Sequence, residues 1–446
     1  MTTPVLEQVD PATLRKVIVA AAIGNFVEWF DFAVYGFLAT TIAQQFFPSG
    51  DASAALLKTF AVFAVAFAFR PLGGVFFGML GDRIGRKRTL AFTILLMAGA
   101  TTLIGLLPTY AAIGVIAPVL LTLIRCAQGF SAGGEYAGAC AYLMEHAPRT
   151  QRAWYGSFVP VSTFSAFAAA AIIAYALEAS LSTEAMGSWG WRLPFLIAAP
   201  LGLVGLYLRW KLDETPAFQA VKQEHAVAHS PLKETLRNHG AAICCLGAFV
   251  SLTALSFYMF TTYFATYLQV AGGLSRATAL LVSLIALLFA AAICPVAGAF
   301  SDKVGRRATV LSTCVLLIVV VYPSFLMASS GSFAASIVGV MLLAVGAVLC
   351  GVVTAALLSE TFPTRTRYTA SAITYNMAYT IFGGTAPLMA TWLISTTGSN
   401  LAPAFYLIVI ALLALAGGLA LPETSKVSLH EVQGSLTARG RLQTAV

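Results

Sequence analysis

Charged residues are scarce in this sequence of 446 residues, because Asp, Glu, Lys and Arg together make up only 10% of it. An average soluble domain carries roughly 25%. Hydrophobic residues account for 59%, and the mean hydropathy is +0.84. This composition excludes an ordinary soluble protein and predicts a chain that lies largely within a lipid bilayer.

Residue types that several kinds of chemistry need are missing from the apolar segments. All five histidines fall in predicted loops, and the seven cysteines lack the paired spacing of a metal site. We therefore predict no metal site, no disulfide and no cofactor, and we expect no membrane-embedded enzyme. A phosphate-binding G-x-x-x-x-G-K-S/T loop is absent, which excludes an ATP-driven pump. No cleavable signal pattern is visible, so the first apolar run is expected to be retained.

Twelve apolar runs cover most of the chain. Most of them reach the ~20 residues that a helix needs to cross a bilayer, and a helix satisfies its own backbone groups in lipid. The pattern predicts an all-α membrane protein with twelve transmembrane helices in two six-helix bundles. The runs lie near residues 17–46, 56–80, 90–107, 113–144, 155–177, 191–210, 241–270, 278–300, 308–328, 333–358, 369–395 and 403–421.

A polar stretch divides these runs into two sets of six. We expect an N-terminal bundle at residues 1–212, a cytoplasmic linker at 213–240 and a C-terminal bundle at 241–422. The remaining residues, 423–446, are expected to form a cytoplasmic tail that is mostly disordered, since its apolar positions are too irregular for a sustained heptad.

The basic residues give this arrangement an orientation. With the N-terminus taken as cytoplasmic, 21 of the 26 Lys and Arg lie in the termini and loops on that side, whereas Lys58, Arg192 and Arg276 lie near the other face. This positive-inside pattern predicts cytoplasmic termini in the inner membrane of a bacterium. The net charge of +8 is explained by topology. We expect the lipid bilayer, protons and a small-molecule substrate as partners, no nucleic acid, and a functional monomer.

Two short motifs each occur twice, about 220 residues apart. Gly/Ser-Asp-x-x-Gly-Arg occupies residues 81–86 and 301–306, and an acid-x-x-Pro-x-x-x-Arg motif occupies 145–152 and 360–367. Two ordered motifs that recur at nearly one offset indicate an internal duplication, which in a membrane protein is typical of transporters. Small residues nearby, such as Gly298, suit close approach of helices.

These duplicated motifs place acids and bases on the predicted cytoplasmic rim. We hypothesise that the arginine of each loop pairs with the acid of the following motif, and that these ion pairs brace the outward-facing state. The alternative is that the loops serve only as topology anchors. The candidate gate residues are Asp82, Arg86, Glu145, Arg152, Asp302, Arg306, Glu360 and Arg367.

Together with four further segments, the loops resemble the major facilitator superfamily, and in particular its metabolite:proton symporter branch. The segments are Gly24–Phe32 (GNFVEWFDF), Arg70–Gly74 (RPLGG), Gln128–Tyr136 (QGFSAGGEY) and Trp189–Phe195 (WGWRLPF). The resemblance runs from about residue 15 to 425. It implies alternating access between two bundles and proton symport of a small metabolite.

Within that branch, two segments are most similar to the members that carry zwitterionic osmolytes such as proline and betaine. These segments are residues 207–219 and 403–407, and they make a zwitterionic osmolyte the expected substrate. An organic acid such as α-ketoglutarate, citrate or shikimate is the alternative, because the resemblance gives the organic-acid carriers an arginine at the position of Arg125. A non-transporting receptor on the same scaffold is a second alternative.

Ionisable groups at membrane depth cost ~2.5–3.5 kcal/mol each to insert and are candidates for function. All five, Glu28, Asp31, Arg70, Arg125 and Glu135, lie in the first half. We expect the three acids to couple transport to protons, since neighbouring carboxylates raise one another's proton affinity. The alternative is that the acids on the first helix merely pair with a buried arginine.

Helical spacing groups further polar residues with these charges. Asn25 and Tyr35 are predicted to share one face of the first helix with its two acids. On the fourth helix, Arg125 and Gln128 lie within a quarter turn, and a guanidinium suits a substrate carboxylate. In contrast, Arg70 is expected to snorkel towards the cytoplasmic end of its helix.

In the second half, aromatic and amide side chains take the place of charges. Tyr258 and Tyr263 lie on the seventh helix, and Tyr375, Asn376 and Tyr379 lie on the eleventh. Such groups hold an ammonium by cation–π contact or donate to a carboxylate, so all five are candidate substrate ligands. For Tyr263, a place in an interfacial aromatic belt is the alternative.

Overall fold

The computed structural model describes residues 11–84, 86–133, 136, 140, 144, 147–211, 231–362 and 367–425. Within these ranges the description leaves out the side chains of residues 11–21, 78, 79, 81–90, 149, 208–211, 231–238 and 367–369. The described chain consists of helices joined by short connections.

Helices of the first half are α1 (Pro11–Phe37), α2 (Ala39–Phe46), α3 (Ala52–Ala68), α4 (Arg70–Ile84), α5 (Arg86–Leu106), α6 (Tyr110–Ile113), α7 (Ile116–Ser131), α8 (Arg152–Gly156), α9 (Phe158–Ser180), α10 (Thr183–Ser188) and α11 (Leu193–Lys211). Those of the second half are α12 (Pro231–Tyr258), α13 (Phe264–Val270), α14 (Arg276–Val304), α15 (Arg306–Ala328), α16 (Phe333–Glu360), α17 (Arg367–Ala378), α18 (Ala386–Thr397) and α19 (Ala402–Ala420). Turns of 3-10 helix cover Arg149–Gln151 and Gly190–Arg192, and π-helical turns cover Met259–Tyr263 and Tyr379–Gly383.

These helices follow the predicted order of twelve spans. Nine helical segments in the described residues are long and apolar enough to cross a membrane, and the bent pair α1–α2 forms a tenth. The described parts of α5 and α7 are shorter apolar helices at the positions of the third and fourth predicted spans. The protein is thus an all-α integral membrane protein with two sets of six spans.

Two apolar runs that the sequence presents as continuous are broken. The first bends by 63° between α1 and α2, whereas the second is interrupted only at Phe69, between α3 and α4, and still forms one span over Ala52–Phe77. Pro71 explains the second break, because proline has no N–H to donate and its ring crowds the carbonyl four residues earlier. As a result α4 begins at Arg70, whose side chain is buried.

Several pairs of helices join the two halves. The largest interface between described helices of the two halves joins α9 to α14, and a smaller one joins α3 to α18. Gly298 of α14 lies so close to α8 that a Cβ there would stand 2.6 Å from the carbonyl oxygen of Ala153. The close helix approach predicted for Gly298 is therefore confirmed.

Two predicted boundaries differ from the structure. α12 begins at Pro231, so residues 231–240 of the predicted linker are helical, while residues 212–230 lie outside the described part. The predicted tail starts with docked residues, since Glu423 accepts backbone hydrogen bonds and Thr424 is buried. Residues 426–446 lie outside the description.

Candidate transport site and gates

Glu28 of α1 and Arg70 of α4 form a buried ion pair. Arg70 Nη2 lies 3.5 Å from Glu28 Oε1, and the side chains are 1% and 5% exposed. Arg70 Nη2 also donates to the carbonyl of Ala132, at 3.3 Å. The prediction that Arg70 snorkels to the membrane surface is wrong, because Glu28 and the carbonyl of Ala132 hold this buried side chain inside the protein.

Asp31 lies about one turn further along α1 and has different neighbours. It is buried, and its electrostatic neighbours are Thr101, Glu28 and Arg125. Asp31 Oδ2 has no hydrogen-bond partner among the described residues. The two acids on α1 are therefore not equivalent, since one is paired with Arg70 and the other has an unpaired oxygen near Arg125.

Arg125 of α7 is buried in a fixed orientation. Its Nη1 donates to Gln128 Oε1 at 2.8 Å, and Gln128 Nε2 donates to Thr101 Oγ1 at 2.6 Å. The guanidinium carbon lies 4.2 Å from the ring centroid of Tyr35, whose hydroxyl donates to the carbonyl of Thr59 at 2.9 Å. Nε and Nη2 of Arg125 have no partner in the described part of the chain. These two nitrogens share the guanidinium edge that binds a carboxylate in a bidentate manner.

Asn25 is fully engaged by the protein. Its Nδ2 donates to the hydroxyls of Ser162 and Thr163 on α9, each at 2.8 Å, and its Oδ1 accepts from Trp29 Nε1 at 2.9 Å. The predicted polar face of α1 is thus divided: Asn25 faces α9, whereas the acids face α4, α5 and α7. The geometry gives Asn25 a positioning role, and it identifies Trp29 as a site residue that sequence reasoning missed.

Tyrosines of the second half meet aromatic residues of the first half at the same level. Tyr375 stacks on Tyr379 with ring centroids 3.9 Å apart and on Tyr136 of the first half at 4.6 Å. Tyr258 lies 6.3 Å from the Trp29 ring. The hydroxyls of Tyr258 and Tyr375 are buried without a hydrogen-bond partner among the described residues. These rings therefore form a wall with polar groups available to a ligand.

The two other predicted ligands of the second half lie between the halves. Tyr263 is 3% exposed and its ring centroid is 6.0 Å from that of Phe60 on α3, so it does not belong to an interfacial belt. Asn376 Nδ2 donates to the carbonyl of Gly133 in the first half, at 3.1 Å. Both contacts must break if the halves separate.

A small cavity adjoins the buried charges. Its volume is about 10 Å³, and Glu28, Thr93 and Ser131 are among the residues that line it. Such a volume holds one water molecule at most. This cavity, whose lining belongs to the first half, is therefore too small to hold an amino acid.

One end of the molecule, here called the motif face, carries Asp302, Arg306 and Glu360. Arg306 donates from Nε and Nη2 to the two oxygens of Glu360, both at 3.2 Å, and its Nη1 lies 3.0 Å from Asp302 Oδ1. Arg306 and the Glu360 side chain are fully buried. The structure thus contains the ion pair that the duplicated motifs predict for the second half.

Contacts across the halves extend this network. Asp302 accepts hydrogen bonds from the backbone N–H groups of Ala153 and Trp154, at 3.0 and 2.9 Å. Arg152 Nη1 lies 3.7 Å from Glu360 Oε1. Carboxylates of the second half therefore hold the start of α8 in the first half, which closes the motif face.

The residues after α19 also belong to the network, and sequence reasoning missed them. Glu423 accepts from the backbone N–H groups of Arg306 and Arg307 at 2.8 and 3.0 Å, and Thr424 Oγ1 donates to Glu360 Oε2 at 2.8 Å. The sequence contains one signal that could have identified these residues, namely a repeated motif. Leu-x-Glu-Thr occurs at residues 212–215 and again at 421–424.

Glu423 remains ionised at neutral pH. Partial burial raises its pKa, but hydrogen bonds from Ser425, Arg306 and Arg307 outweigh that effect, so the pKa lies below the ordinary value. A lowered pKa means that these hydrogen bonds stabilise the fold above the unfolded-state pKa and are lost as the pH falls through the folded-state pKa. This contact therefore does not titrate near neutral pH.

The opposite end, here called the distal face, is held by weaker contacts. Arg276 at the start of α14 donates from Nη1 to Thr41 Oγ1 at 3.3 Å and from Nη2 to Gln44 Oε1 at 3.1 Å. Neither partner is charged, whereas the motif face joins the halves through carboxylates. The halves are thus connected at both ends, and the motif face has the stronger closure.

Replacing Asp302 with asparagine is expected to open the motif face. An amide accepts from only one of the two N–H groups and turns a donor towards the other, which costs about 1–3 kcal/mol. Spin labels at Thr150 and Lys303, which are exposed on either side of this contact, should give a second, longer distance in the variant. Asp51→Asn is the matched control, since Asp51 caps only its own helix α3. Identical distance distributions in all three proteins would contradict the gate.

Five predicted site residues cannot be placed. Glu135 and Glu145 lie outside the described residues, and the side chains of Asp82, Arg86 and Arg367 are not part of the description. The pair predicted for the first half and the third coupling acid therefore remain predictions.

Two six-helix halves that enclose buried charges and contact each other at both ends define a membrane carrier. The chain belongs to the Major Facilitator Superfamily, whose family model matches residues 21–387 and 280–440. It is accordingly a transporter and not an enzyme.

Relatives from bacteria cover nearly the whole chain. The proline/betaine transporter of Salmonella typhimurium is 38% identical over 98% of this chain and 88% of its own length. The glycine betaine/proline/ectoine/pipecolic acid transporter of Dickeya dadantii is 39% identical over 94% and 86%. The ectoine/proline transporter of Corynebacterium glutamicum is 36% identical, also over 94% and 86%.

Solved structures share the fold at much lower identity. The proton:xylose symporter XylE bound to 6-bromo-6-deoxy-D-glucose superimposes with a TM-score of 0.73 at 19% identity, over 94% of this chain and 98% of that one. A partially occluded, inward-open form of the xylose transporter XylE from E. coli gives a TM-score of 0.72 at 18% identity, over 94% and 100%. These likenesses establish the twelve-helix arrangement.

Proposed function

We propose that this chain is a proton-coupled symporter that imports a zwitterionic osmolyte such as proline or glycine betaine. The observation that carries the proposal is the unpartnered Nε–Nη2 edge of buried Arg125, which Gln128 and Tyr35 hold in place. This edge is the carboxylate site, because a guanidinium fork matches a carboxylate in geometry and charge. The names of the bacterial relatives support the substrate class.

The ammonium end of the substrate contacts the aromatic wall between the halves. Tyr258, Tyr375 and Tyr379 supply ring faces from the second half, and Trp29 supplies one from the first half. Ring faces attract a cation electrostatically, by about 2 kcal/mol when it is desolvated. An ammonium bound here requires both halves to be close together, which links substrate binding to closure of the site.

Asp31 carries the coupled proton. Arg125 interacts electrostatically with Asp31, and a substrate carboxylate takes over this interaction with the guanidinium when it binds. Two carboxylates next to one guanidinium repel each other, so substrate binding favours protonation of Asp31. Glu28 stays paired with Arg70 in this scheme. Glu135 remains a further proton-coupling candidate.

Alternating access follows from the two sets of contacts. The halves, at residues 1–212 and 241–422 and joined by the segment 213–240, separate first at the distal face to admit substrate and then at the motif face to release it. The excess of Lys and Arg on the motif side makes that side cytoplasmic, with both termini there, in the bacterial inner membrane. One chain contains both halves of the site and therefore functions as a monomer.

Uptake by purified protein in proteoliposomes tests this function. We expect labelled proline and glycine betaine to accumulate when the outside is acidified, whereas α-ketoglutarate and citrate do not. Accumulation of an organic acid alone would establish the alternative substrate class. Uptake that is the same with and without a pH gradient would refute proton coupling. Binding of substrate without any uptake would favour a receptor.

A further inference from the structure

The guanidinium of Arg70 is held mainly by aromatic rings. Its central carbon lies 5.2 Å from the ring centroid of Phe67, 5.5 Å from that of Phe32 and 6.0 Å from that of Trp29, within the range of cation–π contacts. Arg70 is 1% exposed, and its Nε and Nη1 have no hydrogen-bond partner among the described residues. A guanidinium has five N–H donors, so this buried cation is poorly satisfied by hydrogen bonds.

Two of the three rings also form part of the contact between the halves. Phe67 packs edge to face against Tyr258 with centroids 5.2 Å apart, and Trp29 does the same against Phe257 at 5.1 Å. The group of Trp29, Phe32 and Phe67, here called the cage, therefore lies where the halves meet. Separation of the halves exposes it. The three rings belong to the first half, and rings of the second half cover two of them, which is a position that a transported ligand can reach when the halves separate.

Arg70 is less firmly fixed than Arg125, the other buried arginine of the transport site. Its distance of 3.5 Å to Glu28 exceeds the 2.7–2.9 Å of a charge-assisted hydrogen bond. Arg125, in contrast, has a hydrogen bond of 2.8 Å to Gln128 and a ring contact of 4.2 Å with Tyr35.

We propose that Arg70 is a tethered cation that occupies the ammonium site of the carrier and is displaced by substrate. The cage of Trp29, Phe32 and Phe67, against which Tyr258 of the aromatic wall packs, takes the ammonium group, and the displaced guanidinium tightens its ion pair with Glu28. This inference rests on the proposed zwitterionic substrate and makes its recognition specific. The cage selects ligands whose positive charge is diffuse and alkylated. Binding of such a ligand replaces one weakly hydrated cation, the guanidinium, by another.

The test removes the tethered cation and measures binding of a bare quaternary ammonium. Purified full-length protein is titrated with tetramethylammonium chloride in a calorimeter. Arg70→Gln is expected to bind this ion about 30-fold more tightly than the wild type does, the equivalent of one desolvated cation–π contact. Arg70→Lys keeps a cation in place and is expected to show no gain. Equal or weaker binding by the folded Arg70→Gln protein would overturn the proposal.

A second measurement covers the case in which Arg70→Gln does not fold. Wild type, Trp29→Phe and Trp29→Leu are titrated with glycine betaine and with 3,3-dimethylbutanoate, an isostere that keeps the carboxylate but has no positive charge. The preference for betaine over the isostere should persist with phenylalanine and fall about 30-fold with leucine. A preference that is the same in all three proteins would contradict the cage.

These outcomes separate this inference from the proposed function. If the wild type transports betaine but neither Arg70→Gln nor Trp29→Leu behaves as expected, only the tethered cation is wrong. If the wild type binds no zwitterion while Arg70→Gln gains tetramethylammonium, the cage exists and the proposed substrate is wrong.

Discussion

Replacing Asp31 with asparagine is expected to abolish uphill uptake while leaving exchange of substrate across the membrane intact. The amide has nearly the same shape but cannot take a proton, so substrate still binds at Arg125 but is no longer tied to proton entry. At one proton per substrate, a gradient of one pH unit supports about tenfold accumulation. In proteoliposomes the variant should therefore equilibrate its substrate, with equal concentrations inside and outside, where the wild type accumulates it.

Glu28→Gln is the informative comparison, because it makes the same change in charge about one turn away on α1. It removes the partner of Arg70 and leaves that buried cation without a carboxylate. Breaking a buried pair in this way costs about 3–5 kcal/mol, so this variant should lose thermal stability rather than only coupling. If Glu28→Gln uncouples transport while Asp31→Asn accumulates substrate normally, the proton has been assigned to the wrong acid.

Replacing Arg125 with glutamine is expected to weaken binding of glycine betaine by at least about 100-fold. Two charge-assisted hydrogen bonds to the substrate carboxylate are lost, and bonds of this kind contribute about 1.5–3 kcal/mol each. Arg125→Lys keeps the positive charge but cannot form the bidentate contact. Its affinity for glycine betaine should therefore lie between those of the wild type and Arg125→Gln. Titration calorimetry on the purified proteins measures the three affinities.

Choline provides the control ligand, because it carries the same trimethylammonium group without a carboxylate. Its affinity should not fall in Arg125→Gln, since the guanidinium contributes nothing favourable to its binding. Arg192→Gln is the control variant, because Arg192 donates to the backbone carbonyls of Gly105 and Leu107, away from the site. A betaine affinity for Arg125→Gln within twofold of the wild type would show that the carboxylate binds elsewhere.

The parts of this structure that follow from periodicity and repetition were predictable from the sequence. Helical spacing places Gln128 beside Arg125, and the two side chains are hydrogen-bonded. Duplication points to a partnership between Arg306 and Glu360, which form a bidentate pair. In both cases the sequence itself carries the relation, either as a spacing within one helix or as a pattern that occurs twice.

Contacts between distant helices were not predictable in this way. Periodicity puts Asn25 on a polar face but does not say that Ser162 and Thr163 lie opposite it. Arg70 is expected to snorkel because it lies beside Pro71 near the predicted cytoplasmic end of its helix, but the sequence does not reveal that Glu28 of α1 pairs with it in the interior. The pairing of Arg152 with Glu360 joins one motif copy to the other, and repetition alone cannot distinguish contacts within a half from contacts between halves.

Both halves contribute to the gate, but the described residues place the buried charge of the transport site in the first half alone. The second half supplies rings and hydroxyls, so the substrate lies between a charged and an aromatic wall. This division explains how one site recognises a zwitterion: the carboxylate binds the fixed arginine, and the ammonium binds the interface that closes over it.

Substrate-driven proton movement tests the central claim most directly. Proteoliposomes with no imposed gradient, containing a pH-sensitive dye, are given glycine betaine on the outside. We predict that the interior acidifies with the wild type and stays unchanged with Asp31→Asn, although both proteins admit labelled betaine. Betaine entry into wild-type vesicles without any change of internal pH would contradict proton-coupled transport through this site.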